Sequence, residues 1–408
     1  MRFTELDISV PLQKAISALG YEETTPIQTQ AIPPSLQGHD IVGCAQTGTG
    51  KTLAFVLPAL EHLLQKNGKT KNPRVLVLEP TRELVIQIAG ETQKLAARTS
   101  LRTASVYGGA GMKKQTDRLR RGTDVIVATP GRLMDHMRRK NVNFKDLQIL
   151  VLDEADRMLD MGFLPDIKQI IGHMPRQRQT MLYSATMPPA ISALARQFQH
   201  DPVSIEIDVA RPPEAIHQAL YPVPKHLKTE LLLAILEQME VDSMLVFTRT
   251  KQQADIVARH LRQTRVAVAC IHGDFKQRER IAALEGFRSG KHRVLVATNI
   301  AARGLDVEGI SHVINYDVPE HPEDYVHRIG RTARAEADGD AITLVTPEDE
   351  RLVYRIEYLL GRKIERKSLP GFDYDVPAPS WARTSAKTLV QRATQSQNLA
   401  DRWRSMGF

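Results

Sequence analysis

The chain has 408 residues, 42% hydrophobic and 25% charged, which suffices for two soluble domains with separate cores. Neither a membrane span of ~20 apolar residues nor an apolar leader is visible, and the acid-bearing start MRFTELDISV is not expected to be a signal peptide. A net charge of +8 shared between both halves leans towards a polyanionic partner, while two distant cysteines, Cys44 and Cys270, suit a reducing cytoplasm and no disulfide framework.

In chain order, Ser9 is expected to cap a helix through LQKAISAL that Gly20 ends. The segment PIQTQAIPPSLQG (26–38) then leads to a first strand, IVGC (41–44). Apolar, β-branched runs follow at RVLVLEP (74–80), TASVYG (103–108), DVIVATP (124–130), QILVLDE (148–154) and TMLYSAT (180–186). A second series comprises SMLVFTRT (243–250), VAVACIHG (266–273), HRVLVATN (292–299), HVINYDV (312–318) and AITLVT (341–346). Near-continuous apolar strands alternating with helical segments predict an α/β fold, with parallel sheets covered on both faces. Two series predict two such domains, joined near IEIDVARPPEAIHQ (205–218), where Pro212 and Pro213 interrupt the pattern. The expected organisation is an N-terminal region 1–38, a first domain 39–208, a linker 209–216, a second domain 217–369 and a partly disordered extension 370–408.

The chemistry starts at AQTGTGKT (45–52), between an apolar strand and a segment of helical spacing. Ala45, Gln46, Thr47, Gly48, Thr49 and Gly50 form a loop whose backbone N–H groups converge at a helix N-terminus, a cradle for phosphate. Lys51 is placed to reach the terminal phosphates of ATP and Thr52 to ligate Mg2+. Ala45 departs from the strict pattern, which opens with Gly. In ILVLDEAD (149–156), Asp153 ends an apolar run where the metal site needs a carboxylate, and Glu154 follows where it can orient or deprotonate the attacking water.

With those motifs the sequence resembles the DEAD-box family of RNA helicases from Phe3 to about Leu369, and looks most like its bacterial RhlE-like subgroup. The resemblance implies two tandem RecA-like domains facing each other across a cleft, ATP and Mg2+ as cofactors, and RNA as partner. GYEETTPIQ (20–28) resembles the adenine-reading Q motif, with Glu23 and Gln28 beside the nucleotide and Phe3 stacked on the base. By the same likeness RNA backbone is held by Thr81 and Arg82, the Gly108–Gly109 pair, Thr129, Arg132, Arg249, Gly273, Gln277, Arg280 and Thr298. Ser184, Thr186, Asp156 and His327 couple the sites, Asp306 meets the ribose, and HRIGRTAR (327–334) supplies arginine fingers at Arg331 and Arg334. Asn299 replaces a common Asp, so a salt bridge is expected to be missing there, and Ala333 replaces a commoner Gly. A cytoplasmic monomer that locally and non-processively unwinds short RNA duplexes, or remodels RNA–protein complexes, is the expected activity; an RNA clamp or annealing protein and a DNA translocase are the alternatives.

Overall fold

The computed structural model describes residues 1–45, 48–65, 70–207, 216–239, 241–264, 266–299, 310–332 and 339–379. Most of the expected linker and of the C-terminal extension therefore lies outside the described residues. The chain divides into two compact units that change over at Pro212 and Pro213, with the short segment Gly273–Ala282 grouped with the first.

The first unit carries helices α1 (Val10–Ala18) and α2 (Pro26–Leu36), then β1 (Ile41–Cys44), α3 (Lys51–Gln65), β2 (Val75–Leu78), α4 (Arg82–Leu95), β3 (Thr103–Val106) and α5 (Met112–Arg120). It continues through β4 (Val125–Ala128), α6 (Pro130–Arg138), β5 (Ile149–Leu152), α7 (Ala155–Asp160), α8 (Leu164–Ile171), β6 (Gln179–Ser184), α9 (Pro189–Phe198) and β7 (Val203–Glu206). The strands form one sheet in the order β3-β4-β2-β5-β6-β1-β7, every pairing parallel. Burial on both faces explains the unbroken apolar runs. Val75 and Val77 of β2 face a core shared with Leu12, Ile27, Phe55 and Val85 of α1 to α4. Leu76 and Leu78 face another, shared with Leu133, Met158, Ile167 and Leu194 of α6 to α9.

The second unit contains β8 (Ile216–Pro222), α10 (Lys228–Gln238), β9 (Met244–Thr248), α11 (Lys251–Leu261), β10 (Val268–Ile271), α12 (Gln277–Arg288), β11 (Val294–Thr298) and β12 (His312–Asn315). Further on come α13 (Pro322–Ile329), β13 (Gly339–Val345), α14 (Glu350–Leu360) and β14 (Glu365–Arg366). Its sheet runs β10-β11-β9-β12-β13-β8-β14, again all parallel. Numbered from its own first strand, this is the same order as the first sheet.

Three strands escape the sequence reading. β7 and β14 are short, partly exposed edge strands without an apolar run, and β8 (IHQALYP) mixes polar and apolar residues and starts at Ile216, inside the expected linker. Ser9 holds the N-cap position of α1, but its side chain makes no cap bond; its backbone N–H donates instead to Glu61 Oε2 at 2.8 Å. Gly20 stops α1 as expected, with φ at 77°. Cys44 and Cys270 are free and buried. No helix among the described residues is long and apolar enough to cross a membrane.

Candidate nucleotide and nucleic-acid site

At the C-terminal edge of the first sheet, the end of β1 turns through the glycine-rich loop into Lys51, the first residue of α3. Gly48 and Gly50 adopt φ of 86° and 89°, which side-chain-bearing residues avoid, and a Cβ at Gly50 would also overlap the Gln28 amide. Lys51 is buried, and its ammonium donates to the Ala45 carbonyl at 2.9 Å. Ala45 buries its methyl in the core, which accommodates the departure from Gly. Gln46 and Thr47 lie outside the described residues.

The acidic half comes from β5, separated from β1 only by β6. Asp153 and Glu154 leave the end of β5 buried. Glu154 has φ 50° and ψ 48°, a costly left-handed geometry for a residue with a side chain, and its carboxylate is held by Arg157 Nη1 at 2.7 Å. Burial raises the pKa of Asp153; Lys51 opposes this and the Glu154 charge adds to it. A third acid, Glu79, was missed by sequence reasoning. The β2–β5 register pairs Leu78 with Leu152, so the next residues, Glu79 and Asp153, leave neighbouring strands side by side. Glu79 is 0% exposed and neither of its carboxyl oxygens has a hydrogen-bond partner among the described residues. Burial, then Asp153 and Glu154, hold its carboxyl well above the ordinary range. The available signal was the likeness of VLVLE to ILVLD, two apolar runs each ending on an acid. Thr52, Asp153 and Glu79 offer oxygen donors of the kind a hard divalent cation takes.

Asp156 joins this centre to β6. Its Oδ2 accepts from both the backbone N–H and the hydroxyl of Thr186 at 2.9 Å, while its own N–H donates to Ser184 Oγ at 3.1 Å. Three of the four expected coupling residues thus form one hydrogen-bonded cluster; the fourth, His327, lies on α13 of the second unit.

Gln28 is at once a capping residue and a neighbour of the loop. Its Oε1 accepts from Thr25 N at 3.0 Å and its Nε2 donates to the Gly50 carbonyl at 3.0 Å. An amide so engaged keeps one N–H and one lone pair to offer a base edge. Phe3 is buried at 3% exposure, packed 6.3 Å from the Tyr21 ring, which is 47% exposed. The accessible aromatic face is therefore that of Tyr21, with Phe3 behind it. Glu23 is exposed and forms a backbone bridge with Arg2.

Further along the same sheet edge, the ends of β2, β3 and β4 gather a second group. Thr81 caps α4 by accepting from Leu84 N. The Arg82 guanidinium lies against Gly108 and Gly109; Gly109 has φ 80°, and a Cβ there would strike Arg82. Arg132 donates to the Ala110 carbonyl at 3.0 Å, and Thr129 holds the N-cap position of α6. Two arginines thus converge on one glycine-containing loop beside two helix N-termini.

The second unit repeats this edge in part. Thr250 caps α11 by accepting from Gln253 N, as Thr81 caps α4. Arg249 is more engaged than a bare phosphate contact: it donates to the Val318 carbonyl at 3.3 Å and pairs with Asp349 at 3.5 Å and Glu320 at 3.8 Å. Thr298 ends β11 opposite Thr248; Gly273, with open space where a Cβ would stand, and Gln277 and Arg280 at the start of α12 fall in the segment grouped with the first unit. The expected arginine group divides. Arg328, buried over the Phe247 ring at 4.9 Å, donates to Asn315 Oδ1 and the Asp317 carbonyl, a packing role. Arg331 is buried at the end of α13, while Arg334, Ala333 and Asp306 lie outside the described residues. Asn299 leaves no gap: its amide donates to Asp324 Oδ2 at 2.6 Å and accepts from Arg328 Nε at 3.3 Å, whereas an aspartate would meet Asp324 with like charge.

Comparison with known proteins places the chain in a family. Residues 25–194 match the family described as DEAD/DEAH box helicase, and residues 227–336 match the helicase conserved C-terminal domain. The chain is 43% identical over 372 residues to the DEAD-box ATP-dependent RNA helicase CshA of Geobacillus kaustophilus, covering 91% of this chain and 79% of that protein. It is 39% identical over 407 residues to the ATP-dependent RNA helicase CshA of Listeria monocytogenes, covering 98% and 76%. These relatives bear the CshA name, so the expected RhlE-like placement finds no support in them. Among solved structures, S. cerevisiae Dbp5 bound to RNA and ADP BeF3 superimposes with a TM-score of 0.81 at 31% identity, covering 92% of this chain and 97% of that one.

Proposed function

The chain belongs to the DEAD-box helicase family, and from that premise we propose that it is an RNA-stimulated ATPase that opens short RNA duplexes. The observation that supports this best is the Asp156 cluster, which ties the strand end bearing Asp153 and Glu154 to Ser184 and Thr186. Lys51 binds the terminal phosphates, and Glu154 orients and deprotonates the attacking water once Arg157 releases it. Thr52 and Asp153, with Glu79 near, would hold Mg2+, which would neutralise charge on the phosphate oxygens. Gln28 reads the adenine edge against Tyr21 and Phe3. Arg82, Arg132, Thr81, Thr129, Gly109 and the corresponding second-unit groups hold RNA backbone rather than bases. Because Arg331 and Arg334 belong to the second unit, turnover requires both units, and ATP and RNA must favour the same closed state. Two free thiols suit a cytoplasmic setting.

ATPase rates with single-stranded RNA, with single-stranded DNA and with neither, beside unwinding of a short RNA duplex, test this. RNA is expected to stimulate hydrolysis and DNA to do so poorly, since 2′-hydroxyls distinguish them. Glu154→Gln should retain ATP and RNA while turnover stops. Equal stimulation by DNA, or wild-type turnover in Glu154→Gln, overturns the reading.

A further inference from the structure

At the outermost strand of its sheet, the second unit brings together a thiol, an imidazole and a carboxylate. Cys270 lies on β10 and His272 two residues later at the strand's exit, a spacing that directs both side chains to one side of an extended chain. α11 packs along β10 and contributes Asp255. One donor atom from each residue lies within 4.8 Å of the other two, and His272 Nε2 stands 3.0 Å from Asp255 Oδ1. Cys270 and His272 are buried at 5% exposure each, whereas the Asp255 side chain is 51% exposed.

We propose that Cys270, His272 and Asp255 form a binding site for a divalent cation of the zinc class. The donor set decides the class: thiolate, imidazole and carboxylate oxygen together suit zinc-type ions, whereas magnesium and calcium take oxygen donors. Donors ~2.0–2.3 Å from a tetrahedral metal stand about 3.5 Å apart; the imidazole–carboxylate pair, at 3.0 Å, opens slightly, and no pair, all lying within 4.8 Å, has to close by more than about 1.3 Å, within reach of side-chain rotation. The exposed side of Asp255 leaves a fourth position open to water. Binding exchanges the thiol proton for the metal and releases it to solvent; no electron moves. The ion bonds α11 to β10, the edge strand of its sheet, immediately before Gly273. The metal site stands independently of the RNA role given to Gly273.

The test uses the full chain, free of nucleotide, titrated with Co2+ and followed by absorption, then with Zn2+ by calorimetry. One equivalent of Co2+ is expected to give a thiolate-to-metal charge-transfer band that Zn2+ displaces. Cys270→Ala should abolish the band and Cys44→Ala should keep it. Asp255→Asn, at an exposed position that leaves the core intact, should weaken Zn2+ binding by at least about 10-fold, since a direct ligand counts for no less than the outer partners that orient one. Absence of the band in the unaltered protein, its persistence in Cys270→Ala, or unchanged Zn2+ affinity in Asp255→Asn would each overturn the proposal.

Discussion

Glu79 sits where folding alone would not put a carboxyl: fully enclosed, beside two other acids and without a hydrogen-bond partner among the described residues. Such a group costs about 1–3 kcal/mol. Glu79→Met, which keeps the length of the side chain without its charge, should therefore raise nucleotide-free stability by roughly that amount in chemical unfolding. A loss of stability would mean that the carboxyl is satisfied. His136 gives the opposite kind of liability. Buried, and bonded to Gln115 Oε1 at 3.1 Å, its pKa is lowered first by desolvation and then by Arg132, with Arg139 adding and Asp135 opposing. The unfolded chain then takes up the proton more readily than the folded one, so this residue lowers stability as pH falls below about 6.5. Unfolding free energies at pH 7.5 and 5.5 should diverge less in His136→Gln than in the unaltered protein. The glycine-rich turn between β1 and α3 and the two acids at the end of β5 were legible in the sequence, because positive φ calls for glycine and an apolar run broken by charge marks a strand's end. Glu79 was not, because its meaning comes from the register of β2 against β5.

Elements buried on both faces announced themselves as apolar runs, and each of the eleven runs became a strand. β7, β8 and β14 carry no such run, because two are exposed edges and the third mixes polar with apolar positions. The first helix start was less legible still, since the Ser9 hydroxyl makes no cap bond and only its backbone N–H is held, by a distant glutamate. The loop after β3 shows how one position holds an arrangement of several elements. Gly109 combines a positive φ with the close approach of Arg82 from α4, so a methyl is opposed by both. Gly109→Ala should displace Arg82 and weaken RNA binding about tenfold, a loss of ~1.4 kcal/mol. ATP binding without RNA should not change, because the loop belongs to β3 and not to β1. Fluorescence anisotropy with labelled RNA and with a labelled nucleotide separates the two; equal losses in both would argue for general unfolding.

Across the whole molecule, the proposed chemistry divides between units of unlike content. Arg331→Ala in the full chain should leave ATP binding to the first unit intact and remove most RNA-stimulated hydrolysis, an arginine finger being worth about 10³–10⁵ in rate. Stimulated turnover within tenfold of the unaltered enzyme would deny Arg331 that role. The two sheets nevertheless share one strand order, so the position after β8 corresponds to the phosphate loop after β1. There the second unit has Val223 and Pro224, directly after Pro222 ends β8, and proline has no N–H to offer an anion. One plan has thus been laid down twice and made receptive once. Among the described residues the molecule has a single address for a triphosphate, and equilibrium dialysis should saturate at one nucleotide per chain however high the concentration is driven.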